Sequence, residues 1–546
     1  MTVAQLIARA LADAGVERAF TVPGESFLGL LDALPDAGIR VVATRHEGGA
    51  AFMAEAVGQL TGRPAAVLGT RAVGAANMAI GIHTARQNST PMVALVGQVE
   101  RRFRGREAFQ EVDLVGSFGR LAKWSAELDD PGDAAASLAR GLQAMAAGRP
   151  GPVLLAVPED VLDQPAGATK VEVRAIKPPT PDRAAVSHVL ALLSGASRPV
   201  VLAGGGVLRA GASALLIELA KRLAVPVMAA WRRPDVFPNT HPLYLGMTGY
   251  GAPPTVLARL ESADALLVLG CRLSEVATFG YRIPADTTRW AHVDLEPRTG
   301  HAGLRRPNLA IAADAGAFLD AALSVLGDHR STARPANTAD RDAYLAASAV
   351  DGGAWAGPGV HPGRVVSTLQ RVLPPDAVLT TDAGNFGLWP ARGYRFSRPG
   401  TFLGPTSGAM GYGLPAAIAA ALCRPGRAAV ALTGDGGFAM TMSELETAVR
   451  ERARSVALVF DNRRYGTIAM HQRRAGREVV ATELGPIDFA AVARACGAIG
   501  LRVASDAEFE PALREALLAD GPAVIDLELD PGWVSPDLTP LSPPAS

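Results

Sequence analysis

Lysine is scarce in this chain: the basic charge is almost all arginine, and the lysines are Lys123, Lys170, Lys177 and Lys221. None sits in a segment patterned like a site, which argues against Schiff-base chemistry. Cysteine is scarcer still. Cys271, Cys423 and Cys496 lie far apart, with neither metal-ligand spacing nor the makings of a disulfide framework, and read as buried small side chains in a reducing compartment. Net charge is lacking too, with 53 basic against 53 acidic residues, which argues against a general nucleic-acid or anionic-membrane binder. No apolar run reaches the roughly 18 residues of a membrane span. Met1 to Val16 is an amphipathic helix pattern with Leu6, Ile7 and Leu11 on one side, not a signal peptide, so a cytoplasmic protein is expected. What remains is 546 residues, 49% hydrophobic and 19% charged, enough for three or four globular domains.

Short apolar runs alternate with helical periodicity in three segments. Ile39–Ala43, Ala65–Leu68, Pro91–Val96 and Pro152–Val157 lie in the first; Pro199–Ala203, Pro226–Ala229, Ala265–Leu269 and His292–Leu295 in the second; Val378–Thr381, Ala428–Leu432 and Val456–Phe460 in the third. Continuous apolar runs bounded by turns predict parallel strands buried on both faces, with helices as crossovers. The predicted fold class is therefore α/β, three doubly wound parallel-sheet domains over 1–165, 185–328 and 360–535. Turn-rich linkers are expected at Ala175–Arg183 and His329–Pro362. No short-period repeat is visible. Ligands of such sheets bind beyond the carboxyl ends of the strands, so the residues just after each apolar run matter most.

In the third segment Gly434-Asp435-Gly436-Gly437 follows one predicted strand, and Asp461-Asn462-Arg463-Arg464-Tyr465-Gly466-Thr467 ends the next. One crossover helix between parallel strands puts Asp435 and Asn462 at the same sheet edge. A carboxylate and an amide oxygen among glycines suit a hard cation bridging a diphosphate. Gly-Asp-Gly alone would equally be a turn whose Asp caps a helix. The pair at this spacing resembles the thiamine diphosphate-binding motif. That resemblance implies Asp435 and Asn462 as side-chain ligands of Mg2+, Arg464 as a carbonyl ligand, and Gly434, Gly436, Gly437, Gly466 and Thr467 near the cofactor. Asp461 stands where the family often has Asn. Gly408-Ala409-Met410-Gly411-Tyr412-Gly413-Leu414-Pro415 resembles a segment of acetolactate synthases and their relatives; it implies that Met410 wedges the cofactor into a V shape and that the Gly408 carbonyl bonds its aminopyrimidine. Gly384 and Asn385 would lie beside the diphosphate.

In the first segment Arg45-His46-Glu47 precedes a run of small residues. Glu47 at a helix start is explained by the dipole alone. In the same family, however, this pattern marks the glutamate that bonds N1′ of the aminopyrimidine and exchanges a proton there, for which burial would raise its pKa. The resemblance covers the whole chain: an aminopyrimidine-binding domain, a central domain and a diphosphate-binding domain. It implies a homodimer or homotetramer with Glu47 and Asp435 meeting across a subunit interface. No motif speaks for or against a regulatory subunit.

The substrate end is mixed. Ala108-Phe109-Gln110-Glu111 resembles the synthases, which implies that Phe109 and Gln110 face the reacting centre. Arg71 replaces a small residue, His471 stands where those synthases carry tryptophan, and Glu25 stands where simple decarboxylases have Asp or Ser. Glu25 would then be a proton donor or only a helix-start carboxylate, with His471 or His83 as a second titrating group or as ordinary surface or core residues. The arginines at 101–106 read as a solvated loop or as a site for an anionic substrate. In the central segment Gly204-Gly205-Gly206 starts a dinucleotide fingerprint that Arg209 breaks. FAD stays open, and a domain that keeps the fold without a nucleotide is favoured. The expected activity is thiamine diphosphate- and Mg2+-dependent decarboxylation of a 2-oxo acid with carboligation to a second carbonyl, similar to the acetolactate synthase large subunit. The alternatives are a non-ligating decarboxylase, a carboligase with another donor, an FAD-dependent oxidoreductase of the pyruvate oxidase type, and, from another class, a nucleotide-binding regulatory protein with a dead site.

Overall fold

The apolar runs become strands, and in the computed structural model, which describes residues 1–298, 305–332, 334–350, 358–533 and 535–537, they assemble into three six-stranded sheets. Every strand pair is parallel. The first sheet comprises β1 Arg18–Thr21, β2 Arg40–Ala43, β3 Ala65–Thr70, β4 Met92–Gln98, β5 Trp124–Glu127 and β6 Pro152–Pro158, in the order β2-β1-β3-β4-β6-β5. The second comprises β7 Pro199–Ala203, β8 Val227–Ala229, β9 Tyr244–Met247, β10 Ala265–Leu269, β11 Arg289–Asp294 and β12 Leu309–Ala312, in the order β12-β11-β10-β7-β8-β9. The third comprises β13 Val378–Thr381, β14 Phe402–Leu403, β15 Ala429–Gly434, β16 Ser455–Asp461, β17 Ile499–Val503 and β18 Ala523–Glu528, in the order β14-β13-β15-β16-β18-β17. The outer two sheets thus share one topology, while the middle one has the strand order of a dinucleotide-binding domain.

The N-terminal pattern forms the helix Val3–Asp13, closed by a Thr2–Gln5 capping box, with Leu6, Ile7 and Leu11 buried. No described helix is long and apolar enough to cross a membrane. Cys271 is buried, Cys423 and Cys496 are half-buried, and all three are free. One linker expectation is corrected. Residues 335–347 form the helix Pro335–Ala347, started by a proline at its first position. Its polar composition hid it, because ion pairs hold it to the second sheet's domain. Asp340 bridges Arg198 and Arg259, and Tyr344 is buried edge-on against Tyr244.

The outer domains pack on each other through topologically equivalent helices. Glu47–Thr61 follows β2, and Gly413–Cys423 follows β14, the second strand of its own sheet. Ala50, Ala51 and Ala54 on one helix and Ala416, Ala417 and Ala420 on the other are all fully buried in one core cluster, so the two backbones approach closely. Phe52 meets Tyr412 edge-on at 5.4 Å. This packing fixes where the starts of both helices point.

Candidate active site

β15 and β16 are neighbours in register, Gly434 opposite Phe460, so Asp435 and Asn462 emerge at one sheet edge. Their oxygens converge: the Arg464 N–H lies 3.2 Å from Asp435 Oδ2 and 3.2 Å from Asn462 Oδ1. The Arg464 carbonyl accepts one bond, from the Gly466 amide, and keeps a second lone pair. Burial, with the Asp461 carboxylate beside it, pushes Asp435 up to about 7. Two buried carboxylates in contact are a liability that a cation removes. This donor set therefore fits a hard cation with open positions for phosphate and water.

Beside it, Asn385 is buried; its Oδ1 accepts the Thr467 hydroxyl at 2.5 Å, and its Nδ2 is buried with no hydrogen-bond partner. An orphaned amide donor at this place suits a phosphate oxygen. Gly408 and Gly411 both take the left-handed backbone, at φ +74° and +81°. A Cβ on Gly408 would point into open space on the wall of a cavity, as a backbone that must admit a ligand requires. The glycines at 436 and 437 also have a cause within the protein. A Cβ there would strike Tyr465 or Asp382, so those two make room for the protein itself. Asp382 is fully buried, accepts the Gly413 amide and the Thr433 hydroxyl, and so ties the helix after Met410 to the sheet.

Glu47 opens the helix Glu47–Thr61 at the edge of the first sheet. It is half-buried, and Asn77 Nδ2 donates to its Oε2 at 2.8 Å. The helix start is held from the other domain. Glu444, fully buried, accepts the amides of Arg45 and His46 and the Thr447 hydroxyl. Burial pushes its carboxyl up, against those bonds. Sequence reasoning missed both Asn77 and Glu444: Glu444 is an acid in the first turn of a helix and looks like ordinary dipole chemistry, and Asn77 meets Glu47 only through the fold, 30 positions away. Glu444→Ala is expected to cost about 1–3 kcal/mol by orphaning two amides, and Glu444→Gln less, as thermal melting will show.

Glu25, Phe109 and Gln110 also stand at the first sheet's edge, arranged around Arg71. Its guanidinium, 11% exposed, bridges Glu25 at 3.3 Å and Glu159 at 3.0 Å and lies over the Phe109 ring. Arg71 and Gln110 both have positive φ, +44° and +64°, strain that a non-glycine residue carries at functional turns. Gln110 Oε1 is buried without a partner, and Phe109 is 71% exposed. Of the nearby arginines, Arg101 pairs with Asp160, Arg102 with Glu100, and Arg104 with Glu127 and Asp129, the pattern of a structural loop. His83 is half-buried on the helix Arg71–Asn88.

The diphosphate-side residues face a separate cavity of about 390 Å³ whose walls include Gly384, Asn385, Gly408, Thr467 and His471 from the third domain. Trp231, Arg232 and Tyr250 close it from the central domain. Glu47, Glu25, Phe109 and Gln110 are not among its walls. The central domain has its own cavity of about 360 Å³ at the switch point between β7 and β10, lined by Gly205, Arg209, Arg233 and Arg272. Gly204 and Gly206 are required by close backbone contact with Gly270, and the helix they open, Gly205–Arg209, spans five residues.

These edges coincide with known domains. Residues 1–117 match the N-terminal TPP-binding domain of thiamine pyrophosphate enzymes, 186–322 their central domain, and 382–527 their C-terminal TPP-binding domain. The chain is 31% identical to a probable acetolactate synthase large subunit of Methanocaldococcus jannaschii, over 98% of this chain and 93% of the relative. It is 31% identical to an acetolactate synthase of Bacillus subtilis, over 96% and 93%. It is 32% identical to a sulfoacetaldehyde acetyltransferase of Rhodobacter capsulatus, over 95% and 92%. With all three domains present in order and full-length relatives of this kind, the chain belongs to the thiamine pyrophosphate (thiamine diphosphate) enzymes.

Proposed function

We propose that this enzyme uses thiamine diphosphate and Mg2+ to decarboxylate a 2-oxo acid and join the remaining fragment to a second carbonyl, as an acetolactate synthase. The observation that carries this reading is the convergence of Asp435 and Asn462 on one N–H beside the orphaned Asn385 amide. The bound cofactor would supply a carbon nucleophile for the carbonyl and an electron sink while CO2 leaves. Asp435, Asn462 and the Arg464 carbonyl would hold the cation, and Asn385 the diphosphate. Glu47, its Oε2 fixed by Asn77, would hold and move the proton at N1′ of the aminopyrimidine.

Glu47 stands at the edge of the first sheet and Asp435 at the edge of the third, outside one common cavity, which supports a site completed by a second copy. Apolar side chains are exposed on the elements concerned: Val73 and Ile80 on the helix bearing Asn77, Met440 and Ile468 on the helices that begin at Asp435 and Gly466. They support a homodimer or homotetramer. FAD finds a partial fit. Arg209 offers an exposed guanidinium to the central cavity, but the glycine turn is filled by the protein's own backbone and opens no long helix. The reading routes no step through a flavin.

Incubation with thiamine diphosphate, Mg2+ and pyruvate, alone and beside a panel of 2-oxo acids, with products identified by mass spectrometry, tests it. Acetolactate from pyruvate alone is expected. A second reading, a different acceptor or none, is supported by the Arg71–Glu25 clamp and by the acetyltransferase relative. Aldehyde and CO2 without acetolactate, or turnover of another acid only, would establish it instead. Bleaching of a flavin band by pyruvate would favour an oxidase.

A further inference from the structure

The central domain brings an arginine with no acid to answer it into the third domain's cavity. Arg232 follows β8 and holds its backbone at φ +63°, a conformation that a side chain of this size rarely adopts. It is half-buried, desolvation lowers its pKa to about 10, and it lines the cavity that also contains Gly384, Asn385 and Gly408. Its one side-chain hydrogen bond among the described residues runs from Nη2 to the carbonyl of Asp382, at 2.9 Å. Its Nε is buried with no partner.

No carboxylate of the described residues forms an ion pair with it. The acid that acts on it most strongly, Asp382, spends its oxygens on the Gly413 amide and the Thr433 hydroxyl. The neighbouring Arg233 turns elsewhere, to Asn88 and Gln59, and Arg392 on the same cavity wall is neutralised by Asp537. Trp231 lies against the guanidinium at 5.3 Å and limits its movement. A cation with a buried donor left unpaired is costly, and holding it in a strained backbone adds to the cost. Such an arrangement is explained when an anion completes it, and a planar fork of donors suits a carboxylate bidentately.

We propose that Arg232 is the recognition residue for the carboxylate of the 2-oxo acid, pairing with it in the cavity shared by the central and diphosphate-binding domains. The proposal rests on the 2-oxo acid reading above. The same guanidinium could answer a phosphate of the cofactor, but the cofactor's diphosphate already has the Asn385 amide and the cation site of Asp435 and Asn462. Arg474 also lines this cavity without an ion pair among the described residues, but it is exposed to water, whereas Arg232 keeps a buried donor unanswered.

Calorimetric titration of the full chain, loaded with thiamine diphosphate and Mg2+, tests this with oxamate, a pyruvate isostere that keeps the carboxylate and does not decarboxylate. Ethyl oxamate, which masks the charge, is the control. The wild type is expected to bind oxamate at least about thirtyfold more tightly than the ester. Arg232→Met is expected to lose that margin while leaving ester and thiamine diphosphate binding unchanged, with Arg232→Lys intermediate. Oxamate binding unaltered in Arg232→Met would overturn the proposal. So would a loss confined to thiamine diphosphate binding, which would assign the arginine to the diphosphate. Should Arg232→Met not fold, equal binding of acid and ester by the wild type would overturn it alone. Failure to turn over any 2-oxo acid would instead remove the activity reading, and the titration is independent of turnover.

Discussion

Glu47→Ala is expected to lower turnover by about 10²–10⁴-fold at saturating thiamine diphosphate and Mg2+, the usual loss when a general acid–base group is removed. The geometry separates this effect from folding. Glu47 is half-buried, and the start of its helix is capped by Glu444 and by the His46 ring rather than by its own side chain. Glu47→Gln keeps an amide oxygen for Asn77 but cannot exchange a proton, so it should lose nearly as much. Steady-state kinetics of both variants give the answer. A wild-type-like Glu47→Gln beside a crippled Glu47→Ala would mean that the side chain only fills space. A loss below about threefold in Glu47→Ala would remove it from the mechanism.

The cofactor edges were legible in the sequence because they lie immediately after buried strands, and buried parallel strands are continuous apolar runs. Pro199–Ala203, Ala265–Leu269 and Val378–Thr381 match their strands residue for residue. The strands not announced were mostly edge ones, β5, β9, β12, β14 and β17, which are short or carry polar residues on an open side. The supports of the site were less legible. Glu444 acts across a domain interface, 398 positions from the His46 amide it accepts, and nothing local marks it. Glu55 is the same case: fully buried, it accepts from Thr90, Asn88 and the Tyr412 hydroxyl, joining the Glu47 helix to the Met410 segment. In the sequence Arg71 is only a charge in place of a small residue, and the fold fastens it to Glu25 and Glu159.

The shared topology of the first and third sheets explains why the site residues recur at matching places although no repeat is visible in the sequence. After the second strand of each come Glu47 and the Gly408–Gly413 segment; after the third, Arg71 with Asn77, and Asp435; after the fourth, the loop at Glu100, and Asn462. One scaffold offers the same three sheet-edge positions twice, with different side chains at each. Strand order is kept by packing of small and branched side chains, which tolerates wide substitution, so the duplication survives in the fold and not in the residues.

Asp435→Asn is expected to weaken binding of thiamine diphosphate with Mg2+ by at least about 100-fold, since removing even an outer-shell partner of a metal costs 10–100-fold. The fold should tolerate it. In the protein without cation, Asp435 is pushed up to about 7 by burial and by Asp461. Its folded pKa therefore lies above its unfolded one, and its ionised form opposes folding more as pH rises through 7. Replacing it with a neutral amide removes that opposition, so the variant without ligand should melt at or above the wild type at pH 8. Ligand changes the order. At a hundred times its Kd the cofactor adds about 2.7 kcal/mol to the wild type, and almost nothing to the variant at the same concentration. Melting curves with and without thiamine diphosphate and Mg2+ measure both halves. A variant stabilised by ligand as much as the wild type would remove Asp435 from the cation site, and one already unstable without ligand would make Asp435 a structural residue.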